Sequence, residues 1–355
     1  MALDYTVKYD KKIAQRFSEA SVTNAAAGKE YDFTGARSVK VYTMNTAALS
    51  NYGRGSTRYG SVTDVEYPTQ EMICSVARSF TRHFEKLDNA DIAIDATAGK
   101  FLRMEIDEVI TPEMDAYRLK KWTMGAGTPK SMGSAPTKST IVGDIMALNG
   151  DISNKRVPKK NRTLFIKNSY YILLKQADAV IGIDDAGYNR KSIENGVVGI
   201  FDGCKVVPVN DNDLPANVYF MIKASGTSAD PVKLAQYDVI EKAVGYSGPV
   251  IQGLVYYDAF VLGPRNVGIG VAGSSSAILA APTITISSHT MGIAAVTGAK
   301  LVYTLDGSDP RWSETAVAGT VGGAISGVTT TAGTKVRAIA TKDGCVGIEA
   351  TSTDS

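Results

Sequence analysis

The chain has 355 residues, more than one hydrophobic core usually organises, so two domains are expected. Hydrophobic residues make up 44% of it and charged residues 21%, a composition that excludes a disordered chain. A formal net charge of +2 argues against a protein that grips nucleic acid over a wide surface. The widely spaced Cys74, Cys204 and Cys345 are typical of free thiols in a reducing compartment.

The N-terminal stretch carries charges where a signal peptide needs an apolar segment, so export by that route is not expected. No apolar run reaches the roughly 18 residues that a membrane-spanning helix requires. The sequence therefore predicts neither secretion nor a membrane partner.

The first 70 residues indicate an arm followed by a long hairpin. Residues 1–30 are polar and lack sustained periodicity, which favours an N-terminal arm. Within 31–70, the alternating stretches Ser38–Thr43 and Ser61–Tyr67 flank a glycine-rich middle, the pattern of two paired strands. Few of these residues could form a core, so the hairpin must rest on another surface.

A long amphipathic helix is predicted from Ala98 to Trp122, because apolar residues recur there at spacings of three and four. Pro112 interrupts the pattern. It could kink one helix, or Thr111 could cap a second helix with proline at its first position, and the sequence leaves both readings open. A Gly/Pro/Ser/Thr loop is expected over Lys121–Lys138.

The following segments mix helices and strands without regular βαβ alternation, which predicts an α+β fold. Residues 228–245 are compatible with a helix or a strand. Helices are expected near Ile141–Ile152 and over Ser169–Ala177, and strands over Arg162–Lys167, Gly196–Pro208 (paired around Asp202-Gly203), Val218–Lys223 and Pro249–Leu262.

The composition changes near residue 263. Residues 263–276 are rich in Gly, Pro and Ser, so 263–280 is interpreted as a linker. Residues 281–355 are rich in threonine and show short strand patterns separated by glycine-rich turns, which predicts a small β-sandwich. Its predicted strands are Thr283–Ser288, Leu301–Thr304, Thr334–Thr341 and Val346–Thr351.

No candidate active site emerges from the residue pattern. His83 and His289 lack neighbouring Cys, Asp or Glu at metal-ligand or triad spacing. The carboxylates near Glu113 and Asp115 spread around a helix and alternate with Lys and Arg, which is typical of an exposed interface. We therefore predict no enzymatic activity, no cofactor and no metal site.

Five segments resemble, in order, the major capsid proteins of tailed bacteriophages, whose Hong Kong 97-like fold is shared with encapsulins. Each motif alone is weak, but their order over residues 30–265 is specific. The segments are Ser38–Tyr67 (extended loop), Thr97–Trp122 with Pro112–Tyr117 as "P-E-x-D-A-Y" (spine helix), Asn154–Lys167 ("V-P-x-x-x-R"), Gly199–Pro208 ("G-x-x-x-G-x-x-V") and Val255–Leu262 ("Y-D-A-x-V").

The resemblance implies an extended loop over 31–70 and a capsid core over 71–262. In that core, a peripheral domain would hold the spine helix at about 97–122, and an axial domain would span about 155–245. The extended loop would lie across the neighbouring subunit, where Arg54 and Arg58 would contact acidic residues or stay solvated. Glu113 and Asp115 are further candidate contacts between subunits.

The resemblance also implies a set of partners. Subunits would assemble as hexamers and pentamers in the bacterial host cytoplasm, form the virion head and enclose double-stranded DNA by non-specific contacts. The segment before the hairpin is too short for a built-in scaffold, so a separate scaffolding protein is expected, together with a portal protein. The basic stretch 155–167 could face DNA or another subunit.

The C-terminal segment Tyr303–Pro310 resembles the "Y-T-x-D-G-S-D-P" signature of bacterial Ig-like modules found at the ends of chitobiases and hexosaminidases. The resemblance implies an outward decoration in which Asp306, Gly307 and Asp309 form an exposed turn, with host-surface glycans as weak ligands. Deletion of 277–355 would then leave shell assembly intact.

Two other functions remain open at this point. An encapsulin-like nanocompartment shares the fold but normally lacks the Ig-like appendage. A secreted carbohydrate-binding protein is suggested by the C-terminal segment alone, although the absence of a signal peptide counts against it.

Overall fold

The computed structural model describes residues 21–31, 33, 37–44, 46, 49, 51–54, 58, 64–65, 67–85, 98–177, 199–241 and 244–355. Most of the expected N-terminal arm and most of the strand expected at Ser61–Tyr67 lie outside these ranges. The elements before residue 280 are, in chain order, β1 (Ser38–Tyr42), β2 (Thr69–Ile73), β3 (Val76–His83), α1 (Ala98–Glu105), a π turn (Ile106–Ile110), α2 (Thr111–Met124), β4 (Thr128–Met132), α3 (Ile141–Asn154), β5 (Arg162–Lys167), α4 (Asn168–Gln176), β6 (Gly199–Phe201), β7 (Cys204–Val209), β8 (Val218–Ala224), β9 (Ser228–Ala229), β10 (Val232–Ile240), β11 (Val250–Tyr257), β12 (Phe260–Val261), a 3₁₀ helix (Gly263–Gly268), β13 (Ile269–Ser274) and β14 (Ile278–Leu279).

A six-stranded mixed sheet in the order β4-β13-β8-β5-β7-β6 forms the centre of the fold. All seven residues of β8 are buried, as expected for an inner strand covered on both faces. One face packs against α3 and α4, with Leu164 and Phe220 in that core. The other face packs against α2, with Phe165 and Met221 in a second core. The helices and strands therefore form the predicted α+β arrangement.

The segment expected to be a linker is part of this sheet, which corrects the sequence interpretation. Strand β13 pairs in parallel with β4 and antiparallel with β8. Its glycines serve close packing: a Cβ on Gly270 would lie 2.8 Å from Ile152 and 3.1 Å from Leu148. The glycine-rich composition thus reflects steric crowding and not flexibility. The loop expected over Lys121–Lys138 is likewise wrong in part, because it contains the end of α2 and all of β4.

The hairpin base pairs β1 with β2, from Ser38 opposite Ile73 to Tyr42 opposite Thr69. The strand that pairs with β1 therefore lies at Thr69–Ile73, after the predicted stretch Ser61–Tyr67. Strands β3, β11 and β10 form a separate antiparallel sheet, so the ambiguous segment 228–245 contains the strand Val232–Ile240 rather than a helix in its described residues.

The predicted long helix is continuous through Pro112. Thr111 has helical dihedral angles and donates its N–H to the carbonyl of Ile106, which makes a π turn immediately before the proline. In a regular α-helix, a proline lacks the N–H that would bond the carbonyl four residues earlier, and its ring clashes with that carbonyl. The wider π turn replaces the regular hydrogen-bond pattern just before Pro112. The restart with a Thr111 cap is therefore wrong.

Residues after 280 form two antiparallel sheets, β15-β16-β19 and β18-β17-β20-β22. Met291, Leu301 and Val336 are fully buried between them. The four strands predicted here coincide with five observed ones, because Val346–Thr351 covers two short strands, and three more are present. The strands are β15 (Ile284–Ser287), β16 (Thr290–Ile293), β17 (Lys300–Thr304), β18 (Val317–Val321), β19 (Ile325–Thr329), β20 (Lys335–Thr341), β21 (Val346–Gly347) and β22 (Glu349–Thr353).

This C-terminal sandwich is joined to the central sheet by a shared core. Strand β14 pairs in parallel with β21. Ala277, Ile278 and Val346 are buried in the same cluster as Trp122 of α2. Trp312 and Ile348 pack against that cluster. The sandwich is thus fixed on the core through buried apolar contacts.

Candidate assembly surfaces

The hairpin exposes large apolar side chains at the end of its paired base and beyond it. Leu49 is 102% exposed, Tyr42 is 68% exposed and Met44 is 64% exposed. Arg54 and Arg58 are exposed as well. Because exposed apolar groups can mark interaction sites, these side chains make the hairpin a candidate assembly surface. Contacts of Arg54 and Arg58 with a neighbouring subunit stay a prediction.

Glu113 is held within its own chain. Its Oε1 lies 2.6 Å from Arg78 Nε of β3, and Tyr257 donates a longer bond of 3.4 Å to the same carboxylate. The pair is partly exposed, so Glu113 stays a candidate contact whose charge is already compensated.

Asp115 is buried at 4% exposure, which corrects its assignment to an exposed interface. Its carboxylate accepts hydrogen bonds from the Val22 N–H at 2.9 Å, from Ser21 Oγ at 2.7 Å and from Thr23 Oγ1 at 2.5 Å. Arg118, also buried, donates to Thr23 Oγ1 at 3.2 Å. A carboxylate enclosed by its own N-terminal segment is out of reach of a neighbouring subunit.

A second buried carboxylate, Asp230, holds the same N-terminal segment further along. It accepts from Trp122 Nε1 and from the Gly28 N–H, both at 2.9 Å, and from Ser228 Oγ at 2.5 Å. The Asp230 N–H donates back to the Gly28 carbonyl. A Cβ at Gly28 would lie 1.7 Å from the carbonyl oxygen of Ser228, so only glycine permits this approach. We call residues 21–30 the N-terminal strap.

Lys223 completes this polar cluster from β8. Its Nζ donates to the Ala26 carbonyl at 2.6 Å and lies 4.5 Å from the centre of the Trp122 ring. Burial lowers the pKa of Lys223 to about 8, against the opposing effect of Asp230. Sequence reasoning missed Lys223, Asp230 and Trp122, since a buried lysine has no signature in a strand pattern.

Lys223 should make stability depend on pH in the alkaline range. The unfolded chain binds this proton up to about 10.5, whereas the folded chain releases it near 8, so the contribution of Lys223 to stability rises with pH in that window. Between pH 8 and 10.5, we expect the free energy of unfolding of the natural chain to rise relative to that of Lys223→Met. Denaturant titrations at several pH values would measure it, and a constant difference would contradict the pKa shift.

Two motifs that suggested the capsid resemblance meet in space. Tyr117 of α2 donates its hydroxyl to Asp258 Oδ1 at 2.7 Å, and Asp258 Oδ2 accepts from the N–H and hydroxyl of Ser75 at 2.9 and 3.0 Å. Burial, followed by this bond to Asp258, raises the pKa of Tyr117. These contacts tie the helix to one end of the sheet formed by β3, β11 and β10, where β3 begins and β11 ends.

The basic stretch 155–167 is divided between internal and exposed groups. Arg162 is 1% exposed and donates to the carbonyls of Val157 and Pro158 at 2.6 and 3.0 Å. Lys167 donates to a backbone carbonyl. A smaller group faces solvent on the loop after α3, namely Arg156, Lys159 and Lys160.

The C-terminal turn is less exposed than expected. Asp306 lies at the surface and binds Ser308 and Thr315. Gly307 adopts a positive φ of 76°, which suits a glycine turn. Asp309 is largely covered: its Oδ2 lies 3.0 Å from Arg311 and 3.6 Å from Arg337. The turn therefore faces the core across a cleft of about 650 Å³ and does not project freely.

Within the described residues, no group of three or more His, Cys, Asp or Glu side chains could hold a metal ion. His289 pairs with Asp354 at 2.9 Å, and His83 Nε2 lies 3.8 Å from Glu85. Cys74, Cys204 and Cys345 are free thiols. No described helix is long and apolar enough to cross a membrane.

Known proteins similar to this chain were found by comparing folds. No protein-family model matches the sequence, and no curated protein matches it. A structure from Mycobacterium phage Che8 matches with a TM-score of 0.62 at 13% identity, over 76% of this chain and 96% of that one. The capsid structure of cyanophage P-SCSP1u gives a TM-score of 0.60 at 11% identity, over 76% and 93%. The mature capsid of bacteriophage PhiM1 gives 0.58 at 8%, over 76% and 92%. This chain therefore has the fold of phage capsid structures.

Proposed function

We propose that this chain is a major capsid protein, a structural subunit that assembles into hexamers and pentamers to form an icosahedral virion head. The observation that carries the proposal is the hairpin, because its two-stranded base leaves large apolar side chains without cover in its own chain. A neighbouring copy can bury that surface, and a shell provides each hairpin with such a neighbour. The capsid fold supports the same role.

The other partners follow from this role. Double-stranded DNA would be enclosed through weak, sequence-independent contacts, for which the exposed Arg156, Lys159 and Lys160 offer positive charge. A separate scaffolding protein and a portal protein would complete assembly in the bacterial host cytoplasm. The C-terminal sandwich, proposed to be Ig-like, could bind host-surface glycans from the virion. No enzymatic step, cofactor or metal is part of the proposal.

Assembly can be tested by producing the full chain with its scaffolding protein and imaging the product by electron microscopy. Closed shells of uniform diameter are expected. A chain that stays monomeric with the scaffolding protein supplied would contradict the proposal. Shells that contain DNA in infected cells, and no enzyme cargo, would separate a virion from an encapsulin-like compartment.

The hairpin surface can be tested by Leu49→Asp. A charge at this position should abolish most shell formation, since burying an unpaired carboxylate between subunits costs several kcal/mol, or about a hundredfold or more in each contact. The unfolding midpoint should not change, because Leu49 is fully exposed in the single chain. Val321→Asp, in the sandwich at 70% exposure, is the matched control. Equal shell yields from both variants would show that the hairpin is not an assembly surface.

A further inference from the structure

The hairpin base and the C-terminal sandwich are joined through buried groups as well as through surface charges. Gln70 of β2 is 9% exposed. Its Nε2 donates to the Val261 carbonyl, and its Oε1 accepts from the Gly263 N–H, both at 2.8 Å. Strand β2 is thereby fixed to the segment that enters the 3₁₀ helix.

Trp312 of the sandwich lies against the same segment. A Cβ added to Gly263 would lie 2.8 Å from two atoms of the Trp312 indole ring and 3.4 Å from Gln70 Oε1. Trp312 also packs against the core that contains α2 and β13. Gly263 is therefore next to both Gln70 of the hairpin base and Trp312 of the sandwich.

Glu314, two residues after this tryptophan, reaches the hairpin itself. Its Oε1 accepts from Lys40 Nζ of β1 at 3.0 Å and from Thr69 Oγ1 of β2 at 3.1 Å, so one carboxylate spans both strands. The pKa of Glu314 is lowered by these hydrogen bonds, and that of Lys40 is raised. A further ion pair joins Asp343 of the sandwich to Lys120 of α2 at 2.7 Å.

We infer that the C-terminal sandwich acts as a brace that fixes the direction of the hairpin relative to the capsid core. Three observations converge on this role: the sandwich shares a buried core with the central sheet, Trp312 closes over the segment that anchors Gln70, and Glu314 binds both strands of the hairpin base. This function is distinct from decoration or glycan binding, because it acts on the subunit's own assembly arm.

Hydrogen exchange of the full chain tests the brace without requiring shell formation, so its outcome is separate from that of the proposed function. With Trp312→Ala we expect amides of β1 and β2 to exchange about tenfold faster, while those of β17 and β20 are unchanged. With Glu314→Ala we expect about a threefold increase confined to the same two strands, because an exposed ion pair contributes little. Val321→Ala, on the exposed face of the sandwich, should change neither.

A double-mutant cycle sharpens the test. Gly263→Ala should accelerate exchange in β1 and β2 by displacing the indole ring. In the Trp312→Ala background, Gly263→Ala should not accelerate exchange further, because the indole atoms that the new methyl group would meet are gone. Hairpin exchange equal to that of the natural chain in all these variants would overturn the inference. If β17 and β20 also lose protection in Trp312→Ala, the substitution has opened the sandwich itself. In that case Glu314→Ala decides the test, and unchanged exchange of β1 and β2 in that variant would overturn the inference.

Discussion

Replacing Asp230 with alanine is expected to lower the free energy of unfolding by about 3–5 kcal/mol, a large share of the stability of a typical domain. The carboxylate is 4% exposed and accepts from Trp122, Gly28 and Ser228. Its removal leaves those donors without an acceptor and removes the negative charge that favours protonated Lys223. Because Gly28 belongs to the strap, the strap should detach at the same time.

Denaturant unfolding of the full chain would measure this loss, and hydrogen exchange at residues 21–30 would report detachment. Asp238→Ala is a matched control, since Asp238 is an exposed carboxylate on β10 only eight residues away. A surface substitution of this kind should change stability by no more than about 0.5 kcal/mol. Similar losses for both variants would show that the buried network contributes nothing specific.

Removing residues 277–355 is expected to prevent the remaining chain from folding in soluble form. The deletion takes Ala277, Ile278 and Val346 out of the core beneath α2 and also removes Trp312 and Ile348, which cover it. Each fully buried aliphatic or aromatic side chain contributes about 1.5–3 kcal/mol, so the combined loss approaches the whole stability of a domain. This reverses the expectation, drawn from the sequence, that the sandwich could be deleted without effect.

The soluble fraction and the thermal unfolding curve of the truncated chain would measure the effect. In the full chain, Ile278→Ala alone should cost about 2–5 kcal/mol, whereas Val317→Ala, at an exposed sandwich position, should cost almost nothing. A truncated chain that stays soluble and unfolds cooperatively would show that the shared core is dispensable.

Local patterns predicted the elements that local interactions determine. The turn at Asp202-Gly203 is an example: both residues have positive φ, at 46° and 75°, and they connect β6 to β7 as the dipeptide indicated. Helical structure on both sides of Pro112 was also predicted, with a kink and a restart both left open. Its π turn was not, because the choice among kink, restart and wider turn depends on packing against β3 and β11.

Prediction from the sequence was wrong where the same residue type occurs for two different physical reasons. Glycines at 268, 270 and 273 resembled a flexible linker, yet each lies where a side chain would clash with a neighbouring element. Asp115 resembled a surface carboxylate because its partners, Ser21 to Thr23, lie more than ninety positions earlier. Burial of a charge depends on such distant partners, and no periodicity reveals them.

The N-terminal strap has a consequence for the order of events during synthesis. Its anchors lie 94 residues away at Asp115 and 202 residues away at Asp230. The strap is synthesised before both anchors, and its second anchor does not exist until most of the core has been made. Contacts of such long range form late in folding. A subunit thus cannot complete the docking of its strap until β8 and β9 have been made, so a fully docked strap marks a finished core.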